Sequence, residues 1–167
     1  MNRKQRRAAG KIAGKQPKDA TPQAAADNLV EKAFAAARLG AFADAESALD
    51  EVLAHFPEHI EALHQKGMLL ARTDRVEEGV TLLEQVTVKK PGEALYWNNL
   101  AAACLTINRS AEAQIAARKA VDLDRKYAMA WRNLAMASAD LGRQRDEAQA
   151  HERASTLTPN DPENWSK

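Results

Sequence analysis

Residues 94–140 read ALYWNNLAAACLTINRSAEAQIAARKAVDLDRKYAMAWRNLAMASAD, and the spacing within this stretch decides the fold. Trp97 and Trp131 stand 34 residues apart, and the pair Leu100–Ala101 returns at the same interval as Leu134–Ala135. Working outward, Trp165 lies a further 34 residues on; Pro57 and Pro91 keep the same interval, with Pro159 three periods beyond Pro57. A period of this length marks stacked copies of one supersecondary unit. It divides the chain into units 26–59, 60–93, 94–127 and 128–161, with the start of a fifth at Pro162.

Each unit reads as two helices joined by a turn. Thr21 followed by Pro22 supplies a cap and a proline at the first helical position, and Leu29, Ala33, Ala36 and Ala37 keep helical spacing as far as Gly40. Ala45, Leu49, Val52 and Leu53 form the stripe of a second helix that stops at His55, Phe56 and Pro57. Unit two repeats the plan with Leu63, Gly67 and Leu70, then Val76, Val80, Leu83 and Val86. Units three and four do so with Leu100, Ala101 and Cys104, then Leu134, Ala135 and Ser138. Composition agrees: of 167 residues 35 are alanine, against 7 glycines and 6 prolines, and β-branched residues do not alternate. One cysteine excludes an internal disulfide framework and a zinc site built from several thiolates. No apolar run approaches the roughly 18 residues of a membrane span, so no transmembrane segment is expected.

These residues resemble the tetratricopeptide repeat, a helix-turn-helix unit of the same period. The resemblance covers 26–161 and includes its small residues: Ala33, Gly67, Ala101 and Ala135 share one repeat position, and Ala45, Gly79 and Ala113 another. Small side chains there let paired helices approach closely. Four departures are visible. Arg125 stands where unit three would close on proline, Lys32 and Lys66 replace a leucine, and Glu147 occupies a small position, which suggests a one-residue shift to Ala148. The fold implied is all-α, a right-handed superhelix of four repeats over 21–161, preceded by a disordered basic tail over 1–20.

The family binds extended peptides or partner helices on a concave wall made by the first helix of each pair. By register that wall carries Asp27, Val30, Glu31, Phe34 and Arg38, then Glu61, His64, Gln65, Met68 and Arg72. Leu95, Asn98, Asn99, Ala102 and Thr106 follow, then Met129, Arg132, Asn133, Met136 and Asp140. Gln65, Asn99 and Asn133 recur at the period, and a carboxamide can donate to and accept from a peptide backbone at once. This row resembles the asparagine ladder lining the repeats of O-linked N-acetylglucosamine transferases. The resemblance implies a backbone clamp, although the remaining residues leave no room for a glycosyltransferase domain. The carboxylate clamp of chaperone adaptors is not expected, since Val30 and His64 stand where lysine would be wanted. The candidate groove is therefore Phe34, Arg38, His64, Gln65, Met68, Arg72, Asn98, Asn99, Arg132, Asn133 and Met136. In it carboxamides hold the backbone, Arg38, Arg72 and Arg132 draw acidic side chains, and Phe34, Met68 and Met136 give apolar contact.

The expected function is non-enzymatic: binding of a protein or peptide partner, without cofactor. The alternative is an assembly scaffold that self-associates or supports a separate catalytic chain. No phosphate loop, nucleophile elbow or carboxylate pair in a cleft is present. His55, His59 and His64 look like a metal set, but Pro57 separates the first two across a turn. Cys104 falls on an inward stripe and reads as a small buried hydrophobe. Asn108–Arg109–Ser110 matches a glycosylation sequon, idle without secretion. Seven basic residues precede the first acid, Asp19, so the tail carries about +7 and the remainder about −6. Ala8–Ala20 has only Ile12 as a large apolar residue, which excludes a secretory core and points to the cytoplasm. The tail suits a solvated segment, or a weak contact of residues 1–18 with nucleic acid or an anionic membrane surface. Residues 162–167 read as the stub of a fifth repeat or a lid over the last pair, and the polar last helix favours a self-standing domain.

Overall fold

The computed structural model describes residues 21–158. The expectations for the basic tail (1–20) and for the stub (162–167) lie outside them. Among the described residues there are eight helices and no strand: α1 Pro22–Arg38, α2 Phe42–His55, α3 Ile60–Leu70, α4 Val76–Lys89, α5 Ala94–Thr106, α6 Ser110–Leu123, α7 Ala128–Asp140 and α8 Gln144–Leu157. The second helices begin at 42, 76, 110 and 144 and end at 55, 89, 123 and 157, so each boundary keeps the 34-residue interval.

Local chemistry explains the boundaries. Thr21 caps α1 by accepting from the Ala24 N–H at 3.2 Å, with Pro22 in the first turn. The turns inside three repeats reverse through a residue with positive φ at one repeat position: Gly40 at 83°, Asn108 at 58° and Gly142 at 67°. Glycine and asparagine are the residues that tolerate this conformation. Each such turn returns an N–H to a carbonyl five residues back: Ala41 to Ala36, Arg109 to Cys104 and Arg143 to Ser138. Unit two has Asp74 at that position and differs. There α3 stops at Leu70, two residues before the register, because the Thr73 hydroxyl donates to the Leu70 carbonyl and accepts from the Arg75 N–H.

Within each repeat the two helices meet across the small residues. Ala33, Ala101, Ala135, Ala45 and Ala113 are all buried. Gly67 and Gly79 bring the backbones of α3 and α4 into direct contact, since a Cβ added to Gly79 would lie 2.7 Å from the Gly67 carbonyl oxygen and 2.8 Å from the Ala71 nitrogen. Glu147 keeps the repeat register without the shift to Ala148. α8 starts on the period and buries Ala150 and Ala154, while Ala148 is exposed.

Neighbouring repeats are joined by apolar burial and by two periodic polar devices. Trp97 and Trp131 each donate from Nε1 to the carbonyl of the residue six positions back, Pro91 and Arg125, at 2.9 Å. Arg125 therefore supplies the same backbone acceptor as the proline it replaces. Arg75, Arg109 and Arg143, also at the repeat interval, reach back to Glu46, Glu84 and Gln114 on the second helix of the preceding repeat. Lys66, a departure from the repeat pattern, forms an ion pair with Asp50 on α2. The first helices also pack on one another, α1 on α3, α3 on α5 and α5 on α7. They thereby form the inner layer of an α-solenoid.

Candidate functional site

The inner layer presents a cavity of about 310 Å³ lined by Phe34, Ala37 and Arg38 of α1, His64, Gln65, Met68 and Leu69 of α3, Arg72 just after α3, and Leu95 and Asn99 of α5. Seven of the eleven candidate groove residues therefore meet around one space. Asn98, Arg132, Asn133 and Met136 do not line it. Asn98 is on α5 and the other three on α7, the neighbouring inner helix. Met136 is exposed and Arg132 half-buried.

The floor of the cavity is apolar and wet. Phe34 and Leu95 are 47% and 48% exposed, far more than a core residue of either type, and Met68 is half-buried between them in chain order. The two arginines close one end. Arg38 lies over the Phe34 ring, 5.9 Å from guanidinium carbon to centroid, and Arg72 lies over the Phe42 ring at 5.3 Å. Among the described residues neither has a carboxylate within ion-pair distance, so neither charge is neutralised by an ion pair.

A connected set of polar side chains runs along the inner layer. Gln65 Nε2 donates to Glu61 Oε1 at 2.6 Å, and His64 Nδ1 lies 3.5 Å from the same oxygen. Asn99 Nδ2 lies 2.8 Å from His64 Nε2, so Nε2 accepts and Nδ1 carries the proton directed at Glu61. Asn98 Nδ2 donates to Asn99 Oδ1 at 3.3 Å, and Asn133 Nδ2 donates to Asn98 Oδ1 at 2.9 Å and to its carbonyl at 3.3 Å. His64, Asn98 and Asn133 are only 4%, 6% and 7% exposed. The His64 hydrogen bond is the main cause that holds the Glu61 carboxyl below its usual range; burial opposes it and the Gln65 bond assists.

This arrangement alters the carboxamide row. Asn133 does not project into the groove; its amide is spent on α5, which it ties to α7, and Asn98 receives that bond. Gln65 and Asn99 remain half-exposed at the cavity wall. The Asn99 amide nitrogen is committed to His64, which fixes how the side chain is presented.

A second recess of about 280 Å³ adjoins the first through Phe34 and Gln65, and adds Asp27, Val30, Glu31, His59 and Glu61. Here His59 Nδ1 caps α3 by accepting from the Ala62 N–H, leaving Nε2 to donate to Asp27 Oδ1 at 2.8 Å. The carboxylates and Leu95 belong to the concave wall by register, but a reading that favours amides and arginines passes over them. The signal that would have found them is their common position: Asp27, Glu61, Leu95 and Met129 share one row.

No group of three or more His, Cys, Asp or Glu side chains among the described residues could hold a metal ion. Cys104 is 1% exposed, and burial pushes its thiol up to about 11. No described helix is long and apolar enough to cross a membrane.

Comparison with known proteins gives the following. Two family models described as tetratricopeptide repeat match residues 36–104 and 94–127, which together span more than half of the chain. No curated protein matches the sequence. Among solved structures, one titled "Crystal structure of MamA protein" superposes with a TM-score of 0.74 at 21% identity, over 80% of this chain and 73% of that one. The "MamA RS-1 ArsTM double mutant" gives 0.74 at 23% identity over 83% and 78%. "MamA 41-end" from Desulfovibrio magneticus RS-1 gives 0.68 at 25% identity over 84% and 78%. The likeness is one of fold.

Proposed function

Because this chain belongs to the tetratricopeptide repeat family, we propose that it acts as a protein-interaction module that holds an extended segment of a partner protein against the inner layer. The observation that carries this reading is the cavity bounded by α1, α3 and α5, where exposed apolar side chains lie beside unpaired arginines and half-exposed carboxamides. Water-exposed apolar area beside a few oriented polar groups is the chemistry of a peptide groove. Gln65 and Asn99 would meet the partner backbone, Arg38 and Arg72 its acids, and Phe34, Met68 and Leu95 its apolar side chains. Asn98 and Asn133 would act one step behind, holding Asn99 in place, and Arg132 and Met136 would extend the surface along α7.

The test is site-specific photocrosslinking in the intact protein. A benzophenone side chain at Met68 or Leu95 is expected to capture partner polypeptide from cell extract, and one at the exposed Ile115 on α6 is not. Equal capture from Ile115 refutes the groove assignment. A second reading, end-to-end self-association, is favoured by one feature: Leu29 is half-buried where its repeat equivalent Leu63 is buried. It borders an open recess of about 550 Å³ with Pro22, Ala26, Val52 and Phe56. Sedimentation velocity over a wide concentration range tests it; a constant monomer mass rejects it.

A further inference from the structure

Charges around the groove are segregated along the helix axes. Asp27, Glu31 and Glu61 surround the recess nearer the start of α1 and α3, whereas Arg38 ends α1 and Arg72 follows α3. Between the two sets lie Phe34 and Gln65, which line both recesses, and Met68; Leu95 of α5 adds apolar lining beside them. Glu31 is exposed and forms no ion pair among the described residues; the hydrogen bond from His64 holds the Glu61 carboxyl below its usual range. The separation belongs to the first two repeats alone. The row of Arg38 and Arg72 continues as Thr106 and Asp140, and the row of Asp27 and Glu61 continues as Leu95 and Met129.

We propose that the groove of the first two repeats selects a bipolar partner segment. Its cationic residues face Asp27, Glu31 and Glu61, an apolar residue sits on Phe34, Met68 and Leu95, and its anionic residues face Arg38 and Arg72. The proposal rests on the peptide-groove reading and adds its specificity and direction. A uniformly acidic segment would place charge against three carboxylates, and a uniformly basic one would meet two guanidinium groups, so the groove disfavours both. Glu31 and Arg38 are seven residues apart on one helix and Glu61 and Arg72 eleven, which is about 10–16 Å at the helical rise. An extended strand covers that span in about three to five residues, so opposite charges at that spacing satisfy both ends at once. The segment then runs along the helix axes, across the stack.

The test uses the full chain and four fluorescein-labelled synthetic peptides, read by anisotropy at low ionic strength. Two are bipolar, with two lysines and two glutamates flanking a Gly-Leu-Gly centre in either order, one has four lysines, and one has four glutamates. At least one bipolar peptide is expected to bind about tenfold tighter than both uniform peptides, and the preference is expected to shrink sharply at high salt. Glu31→Lys is expected to reduce bipolar binding and raise affinity for the glutamate peptide; Arg38→Glu with Arg72→Glu should also reduce bipolar binding, and raise affinity for the lysine peptide instead. Uniform peptides binding as tightly as bipolar ones overturns the proposal, as does a charge reversal that leaves the ranking unchanged. So does the absence of binding by all four. If Met68 still captures a partner by photocrosslinking in those cases, the groove reading stands and only its polarity falls; if that capture fails as well, both fall.

Discussion

Asn133→Ala removes the donor that joins α7 to α5. In the native chain Asn133 Nδ2 donates to Asn98 Oδ1 at 2.9 Å, with a longer contact to the Asn98 carbonyl, and both side chains are buried. Deleting the amide strands the Asn98 oxygen away from water, which costs about 1–3 kcal/mol. The better helix propensity of alanine offsets roughly 0.5 kcal/mol of this. The net expectation is a loss of about 1–2 kcal/mol, or a drop in Tm of roughly 3–6 °C for a domain of this size. Urea unfolding followed by circular dichroism at 222 nm measures it. A double-mutant cycle with Asn98→Ala should return a coupling of about 1 kcal/mol, because with both partners gone no group is left unsatisfied. Asn99→Ala leaves the buried His64 Nε2 and the buried Asn98 amide without their partner, so it is expected to cost a similar amount and to weaken peptide binding as well. A loss below about 0.5 kcal/mol for Asn133→Ala, or no coupling to Asn98, would refute the claim that this amide braces the inner layer.

Gly79→Ala drives a Cβ into the backbone of α3; even after the gain in helix propensity it should destabilise by about 1–2 kcal/mol in urea titrations, whereas Gly92→Ala, where no atom lies within 4 Å, should be near neutral. Equal stability of the two variants would show that α3 and α4 are not in tight contact. Glu61 contributes stability that is fully present above its ordinary value of 4.5 and is lost as pH falls through its lower folded value. Between about pH 5 and 3 the native chain should therefore lose more stability than Glu61→Gln; parallel urea midpoints would contradict this. Cys104, with its thiol pushed up to about 11, should react with Ellman's reagent at about pH 8 only at the rate of unfolding, and rapid modification of the folded chain would disprove its burial.

Periodicity made the architecture readable and left the orientation of side chains undecided. The interval between Trp97 and Trp131 carries through to every second-helix boundary, because each repeat packs on its neighbour in the same way and a shifted boundary would break that contact. The exceptions are chemical and local. Thr73 shortens α3 through a hydroxyl bond, and Glu147 stays in register while Ala150 and Ala154 supply the buried face of α8. The groove was legible as a list of positions. Whether an asparagine at such a position faces solvent or the next helix depends on which partner lies within reach. Asn98 and Asn133 found each other, a choice set by atoms 35 residues apart in sequence. Gln65 found Glu61 one turn away and so stayed at the surface. The segregation of Glu31 and Glu61 from Arg38 and Arg72 was written in the sequence, yet it becomes a property of one groove only when both recesses are seen to share Phe34.

The indole bonds to Pro91 and Arg125 also give the molecule an internal reporter. Each of these two tryptophans sits at a different junction between repeats and is hydrogen-bonded to the connecting loop of that junction alone. Emission from a variant retaining a single indole would therefore record the parting of one junction at a time. Comparing the two traces during stopped-flow denaturation would show from which end the array unzips, and whether its halves come apart in one event or in succession.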